Sequence, residues 1–129
     1  MTSRVGHLIN GKIVTDADKT QDVFNPSSGE VSKQVALANS ATVSEAIAAA
    51  EKAFVSWRNT PAMKRARVMF KFKDLLEQHS AKICDLIGQE HGKIAHDAAG
   101  ELQRGIENVE YACCAPELLK GEHLSLIHI

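Results

Sequence analysis

Thr42-Val43-Ser44-Glu45-Ala46-Ile47-Ala48-Ala49-Ala50-Glu51-Lys52-Ala53-Phe54-Val55-Ser56-Trp57 is the stretch from which the rest of the chain is read. Its first four residues form a capping box, in which the Thr42 hydroxyl suits the amide of Glu45 and the Glu45 side chain reaches back to the amide of Thr42. Ile47, Ala50, Phe54 and Trp57 then recur at helical spacing and make one apolar stripe. Asn59-Thr60-Pro61 closes this helix and opens a second, with Thr60 as N-cap and Pro61 at the first helical position. The second helix runs toward His79 with Ala62, Ala66, Met69, Phe70 and Leu76 as its buried set. Ser80 caps a third, carrying Ile83, Leu86 and Ile87 and stopped by Gly92. A fourth extends from about His96 to Cys114, with Leu102, Ile106, Val109 and Cys113 on one stripe and Pro116 and Gly121 closing it.

Upstream the pattern changes from helix to strand. Leu8-Ile9-Asn10-Gly11-Lys12-Ile13-Val14 is a hairpin signal, because Asn-Gly suits a type I′ turn whose two central residues both need positive φ. Asp22-Val23-Phe24 reads as a short strand, Asn25-Pro26-Ser27-Ser28-Gly29-Glu30 as a turn, and Val31 to Ala36 as a strand pairing back on the first. The chain therefore divides into a β-hairpin segment over 1–40 and a helical part over 41–122. Long amphipathic helices must cover something, and so small a strand layer offers them no sheet. The expectation is an α/β segment, incomplete as a domain, whose sheet is supplied by sequence not present here.

Composition narrows the function classes. The chain has 129 residues, 44% hydrophobic and 24% charged, which suits one globular domain. With 15 basic against 16 acidic residues, an electrostatic nucleic-acid binder is disfavoured. No apolar run nears the roughly 18 residues that span a bilayer. Met1 to His7 has one basic residue and no apolar core, so it does not read as a signal peptide, and a cytoplasmic location is expected. Cys84, Cys113 and Cys114 then read as free thiols serving as packing residues.

Several chemical motifs are near misses. Gly88-Gln89-Glu90-His91-Gly92-Lys93-Ile94 has one residue too few between its glycines for a phosphate loop, and Ile94 stands where Ser or Thr would hold a metal. His91 and His96 are five apart, which is poor spacing for ligands on one helix face. Lys64, Arg65, Arg67, Lys71 and Lys73 make the second helix basic, and a solvated face or a subunit contact accounts for them.

Gly100-Glu101-Leu102-Gln103-Arg104-Gly105-Ile106-Glu107-Asn108-Val109-Glu110-Tyr111 is the least ordinary piece. Each glycine inside a helix costs about 1 kcal/mol relative to alanine, so close approach of another backbone is expected at both. Arg104 lies between them. Arginine can grip a carboxylate through two parallel bonds, and an ion pair with Glu101 or Glu107 is the alternative use of the same charge.

Taken together, these residues resemble the N-terminal part of the aldehyde dehydrogenase superfamily. The likeness rests on Ile9-Asn10-Gly11 with Val14, Asn25-Pro26 with Gly29-Glu30-Val31, and Ala46 to Ala53 with Phe54 and Trp57. It continues through Arg65-Ala66, Glu90 with Gly92-Lys93, and Gly100-Glu101 with Arg104-Gly105, covering roughly residues 5 to 122. Arg104 to Cys113, with Leu118 to Gly121, is most similar to the CoA-acylating branch that oxidises methylmalonate semialdehyde. The resemblance implies the opening part of an NAD-binding α/β domain and an oxidoreductase using NAD and coenzyme A, with a homo-oligomer when complete. It also implies an aldehyde substrate, a role in valine breakdown, and no nucleic-acid or membrane partner. The family's cysteine nucleophile, general base and cofactor loops match nothing here, so no catalytic or cofactor-binding residue carries over and this segment is expected to bind neither cofactor. Only Arg104 carries over, as the residue facing the substrate carboxylate. The tail, residues 123–129, departs from the family pattern and is expected to be non-native. Two other readings remain open: a segment of another aldehyde dehydrogenase, such as one for succinate semialdehyde, and a small helical interaction module.

Overall fold

A computed structural model describes residues 3–122, so the expectation about residues 123–129 lies outside the described residues. Five strands precede five helices: β1 (Ser3–Val5), β2 (His7–Ile9), β3 (Lys12–Val14), β4 (Lys19–Phe24), β5 (Val31–Leu37), α1 (Ser40–Arg58), α2 (Ala62–Gln78), α3 (Ser80–His91), α4 (Ala95–Cys113) and α5 (Ala115–Leu118). The chain forms two units. One contains residues up to Asn59 together with Ile87–Lys93, and the other contains Thr60–Leu86 and the residues from Ile94 onward.

In the first unit the hairpin forms where the Asn-Gly pair places it. Asn10 and Gly11 have φ of 49° and 75°, and Ile9 pairs with Lys12, Leu8 with Ile13 and His7 with Val14. β4 pairs antiparallel with β5 across the Asn25–Glu30 turn. That turn is closed by hydrogen bonds from the Asn25 amide to the Glu30 carbonyl and from the Ser27 amide to Asn25 Oδ1, each 2.8 Å. β4 begins three residues before the expected strand, at Lys19. β1 adds in parallel on the other edge of β5, giving the order β1-β5-β4. Ile9 and Ala36 are the buried apolar residues here.

The cap of α1 differs from the sequence expectation. Asn39, not Thr42, is the N-cap: its Oδ1 accepts the Thr42 amide at 2.9 Å and the Thr42 hydroxyl at 3.0 Å. Asn39 Nδ2 also donates to Asp18 Oδ2 at 3.0 Å, so the residue is already fixed against the segment before β4. A cap held from both sides starts the helix a turn early and leaves Thr42 inside it. α2 likewise begins at Ala62, with Pro61 as the cap rather than the first helical residue.

The stripe of α1 is uncovered, as expected of a helix whose sheet lies in sequence not present here. Ile47, Phe54 and Trp57 are 55%, 56% and 44% exposed, Ala50 is exposed too, and no residue of α1 is buried. The helix touches β2 while its large apolar residues stay in solvent. An apolar groove of about 510 Å³, lined by His7, Leu8, Ile9, Val43 and Ile47 among others, lies between them. In the second unit Phe70 of α2 is exposed, although periodicity placed it inside, and Leu86 of α3 is exposed as well. Exposed apolar surface this extensive normally marks an interface. The 129-residue chain alone is therefore expected to bind the dye ANS and to unfold broadly on heating. A single sharp calorimetric transition without dye binding would contradict this.

The second unit has the better-formed core. α4 lies against α2 and buries Ala98, Leu102, Ile106 and Cys113, with Ala66 buried on α2. Three of these α4 residues are the stripe read from sequence; Val109 is half-buried. Lys73 on α2 ties the seam from outside, 2.6 Å from Glu77 and 3.4 Å from Glu110 on α4. The hydrogen bond to Glu77 raises the Lys73 pKa above its ordinary 10.5, desolvation opposes it, and Glu110 adds to the rise. A raised pKa means that the folded state holds the proton more tightly than the unfolded one. The resulting stability is fully present below pH 10.5 and is lost as pH climbs through the raised value. Urea midpoints of the parent and Lys73→Met should differ by a constant amount below pH 10.5 and converge as the pH rises above it. A gap that stays constant above pH 10.5 as well would refute the assignment.

Candidate functional site

Arg104 occupies the middle of α4, on the face opposite the Leu102–Ile106 stripe. The 3.6-residue period puts Gly100 one turn before it and Tyr111 two turns after it on that same face. Arg104 and Tyr111 are exposed, and Gly100 is half-buried. Asn108 Nδ2 donates to the Arg104 carbonyl at 2.8 Å, which pins the Asn108 side chain to the helix. The guanidinium lies along the helix beside Gly100, its Nη1 3.8 Å from where a Cβ at that position would sit. Glu107 accepts a hydrogen bond from Gln103 at 3.3 Å. Of the two glutamates that could claim Arg104, Glu107 is thus engaged with Gln103, and the Arg104 side chain is exposed.

The glycines that flank Arg104 do not serve close backbone approach, contrary to expectation. A Cβ at Gly105 would meet nothing within 4 Å. A Cβ at Gly100 would meet only Arg104 Nη1, at 3.8 Å, leaving aside chain neighbours and the helix backbone. Gly105 thus opens onto unfilled space, whereas Gly100 lies beside the Arg104 guanidinium.

The other sequence candidates have structural work. Gly88–Lys93 ends α3 rather than cradling an anion. Lys33 on β5 holds Glu90 at 2.6 Å, and Gly92, at φ 73°, terminates the helix close to the Pro26 ring. Of the basic residues on α2, Lys64, Arg67 and Lys71 are exposed, whereas Lys73 is spent on the seam with α4. Cys113 is buried and Cys84 half-buried, but Cys114 is exposed at the α4–α5 junction and so is not a packing residue. The helical position of Cys114 made burial plausible; the chain turning at Ala115-Pro116 lifts it out.

Comparison with known proteins shows the family. The family model described as "Aldehyde dehydrogenase family" matches residues 13–128. Malonate-semialdehyde dehydrogenase of Pseudomonas aeruginosa is 61% identical over 117 residues, which is 91% of this chain and 24% of the relative. The crystal structure of methylmalonate-semialdehyde dehydrogenase from Oceanimonas doudoroffii superposes with a TM-score of 0.91 at 68% identity, covering 97% of this chain and 25% of that one. A Sinorhizobium meliloti protein, described as a methylmalonate-semialdehyde dehydrogenase and solved with NAD, also gives 0.91, at 36% identity over 97% of this chain and 26% of that one. The chain thus spans about a quarter of the length of the curated relatives it matches.

Proposed function

The chain belongs to the aldehyde dehydrogenase family, and on that premise we propose that it is the opening segment of an NAD-dependent, CoA-acylating methylmalonate-semialdehyde dehydrogenase, inactive by itself. The observation that carries the proposal is the exposed guanidinium of Arg104 in a segment 61% identical to a malonate-semialdehyde dehydrogenase. Malonate and methylmalonate semialdehydes have an aldehyde at one end and a carboxylate at the other. A guanidinium holds a carboxylate by two parallel charge-assisted bonds, which fixes direction as well as position. Arg104 then decides which end of the substrate is presented for reaction, and this orientation is a contribution to rate that needs no chemistry from the arginine.

NAD, when bound, takes up the hydride, and CoA receives the acyl group. We assign no residue of this chain to either, because the one glycine-rich segment, Gly88–Lys93, is a helix end whose Glu90 is paired with Lys33. The nucleophile and general base fall to the three quarters of the relatives' length that this chain does not span. A cytoplasmic homo-oligomer acting in valine breakdown is the setting that goes with this reading.

The proposal is tested on a full-length chimera in which residues 1–122 replace the matching segment of the Oceanimonas doudoroffii enzyme. The expected result is NADH formation from methylmalonate semialdehyde that requires CoA and yields propionyl-CoA and carbon dioxide. Preference for succinate semialdehyde, or release of a free acid without CoA, would overturn it.

A further inference from the structure

Gly100 is conspicuous because glycine weakens a helix relative to alanine, and among the described residues no neighbouring element requires its smallness. What lies beside it is Arg104 Nη1. Long side chains on a helix lean toward its N-terminus and cover the turn before their own, so Arg104 comes to rest over position 100. Half-burial of Gly100 on an otherwise open face fits a guanidinium lying across it. We propose that Gly100 is a positioning residue for Arg104: an empty place one turn back lets the guanidinium lie flat along α4 and turn a two-donor edge to a carboxylate. This rests on the reading of Arg104 as the carboxylate-binding group. A side chain larger than alanine at position 100 would compete for the space of Nη1, lift the guanidinium and break one of its two bonds to the substrate.

The size of the substituent separates this role from helix stability. In Gly100→Ala the added Cβ sits 3.8 Å from Nη1, an ordinary contact, so the helix is strengthened and binding is kept. In Gly100→Ile the branches on Cβ fill both lateral directions and meet the guanidinium. Both variants are made in the chimera, with Arg104→Ala beside them, and assayed with methylmalonate semialdehyde and with propanal, which has no carboxylate. For Gly100→Ile the KM for methylmalonate semialdehyde should rise roughly tenfold, with kcat and the propanal KM within about twofold of the parent. Gly100→Ala should match the parent with both aldehydes. Gly100→Leu, a stronger helix former, is scored in the same way should isoleucine impair folding.

If Arg104→Ala separates the two aldehydes and the bulky Gly100 variants leave KM unchanged, the role of Gly100 is overturned while the reading of Arg104 stands. Equal losses with both aldehydes in Gly100→Ile would mean a merely structural position and would also overturn it. If Arg104→Ala fails to separate the aldehydes, the reading of Arg104 falls and this inference with it.

Discussion

Arg104→Ala is expected to lower kcat/KM for methylmalonate semialdehyde about a hundredfold, close to 3 kcal/mol at 25 °C. The magnitude follows from removing two charge-assisted hydrogen bonds, each stronger than a neutral one. It is large because substrate desolvation is still incurred when the carboxylate enters the site without its partner. Propanal carries no carboxylate, so its kcat/KM should move by no more than about twofold. Arg104→Lys retains the charge but not the fork, and should recover part of the loss, leaving roughly a tenfold deficit. Steady-state rates on the full-length chimera decide the matter. An equal fall for both aldehydes would mean that Arg104 supports the fold rather than the substrate.

The second large effect concerns the α2–α4 seam. Ile106 is 5% exposed and sits between Leu102 and Cys113 on the face of α4 that lies against α2. Cutting it to alanine loses apolar burial and leaves a void, which together cost about 3 kcal/mol. Gln103, one turn earlier on the exposed side, should tolerate alanine within about 0.5 kcal/mol. Amide hydrogen exchange along α4, compared between these two variants in the chimera, reads the difference directly as faster opening. Equal protection in both would place the seam elsewhere.

Much of this architecture was legible in the residues because its determinants are local. Asn10-Gly11 fixes its own turn, Gly92 ends its own helix, and Leu102, Ile106 and Cys113 mark the buried face of α4 by spacing alone. What failed depended on distant partners. β1 is three residues long and largely polar, and is a strand only because β5, about thirty residues on, offers it an edge. Asn39 outcompetes Thr42 as a cap through its bond to Asp18, twenty-one residues away. The stripe of α1 was correctly seen as apolar, but periodicity says that a face is greasy without saying what lies on it. At the candidate site, the sequence could place Arg104 between two glycines but left the choice between ion pair and ligand open. The structure adds that Glu107 is engaged with Gln103 and that the Arg104 side chain is exposed. The relation of Gly100 to Nη1 follows from spacing only once it is joined to the backward lean of helical side chains.

The first unit is broken in sequence: its strands and α1 are complete by Asn59, yet Ile87–Lys93 belongs to it and Glu90 supplies the partner of Lys33. During synthesis the strands must therefore wait while roughly thirty further residues leave the ribosome, about 2–7 s at ordinary elongation rates. For that interval Lys33 and the ring of Pro26 are open to whatever else is nearby, and a nascent chain of this kind is a natural client for a chaperone acting before the first unit closes.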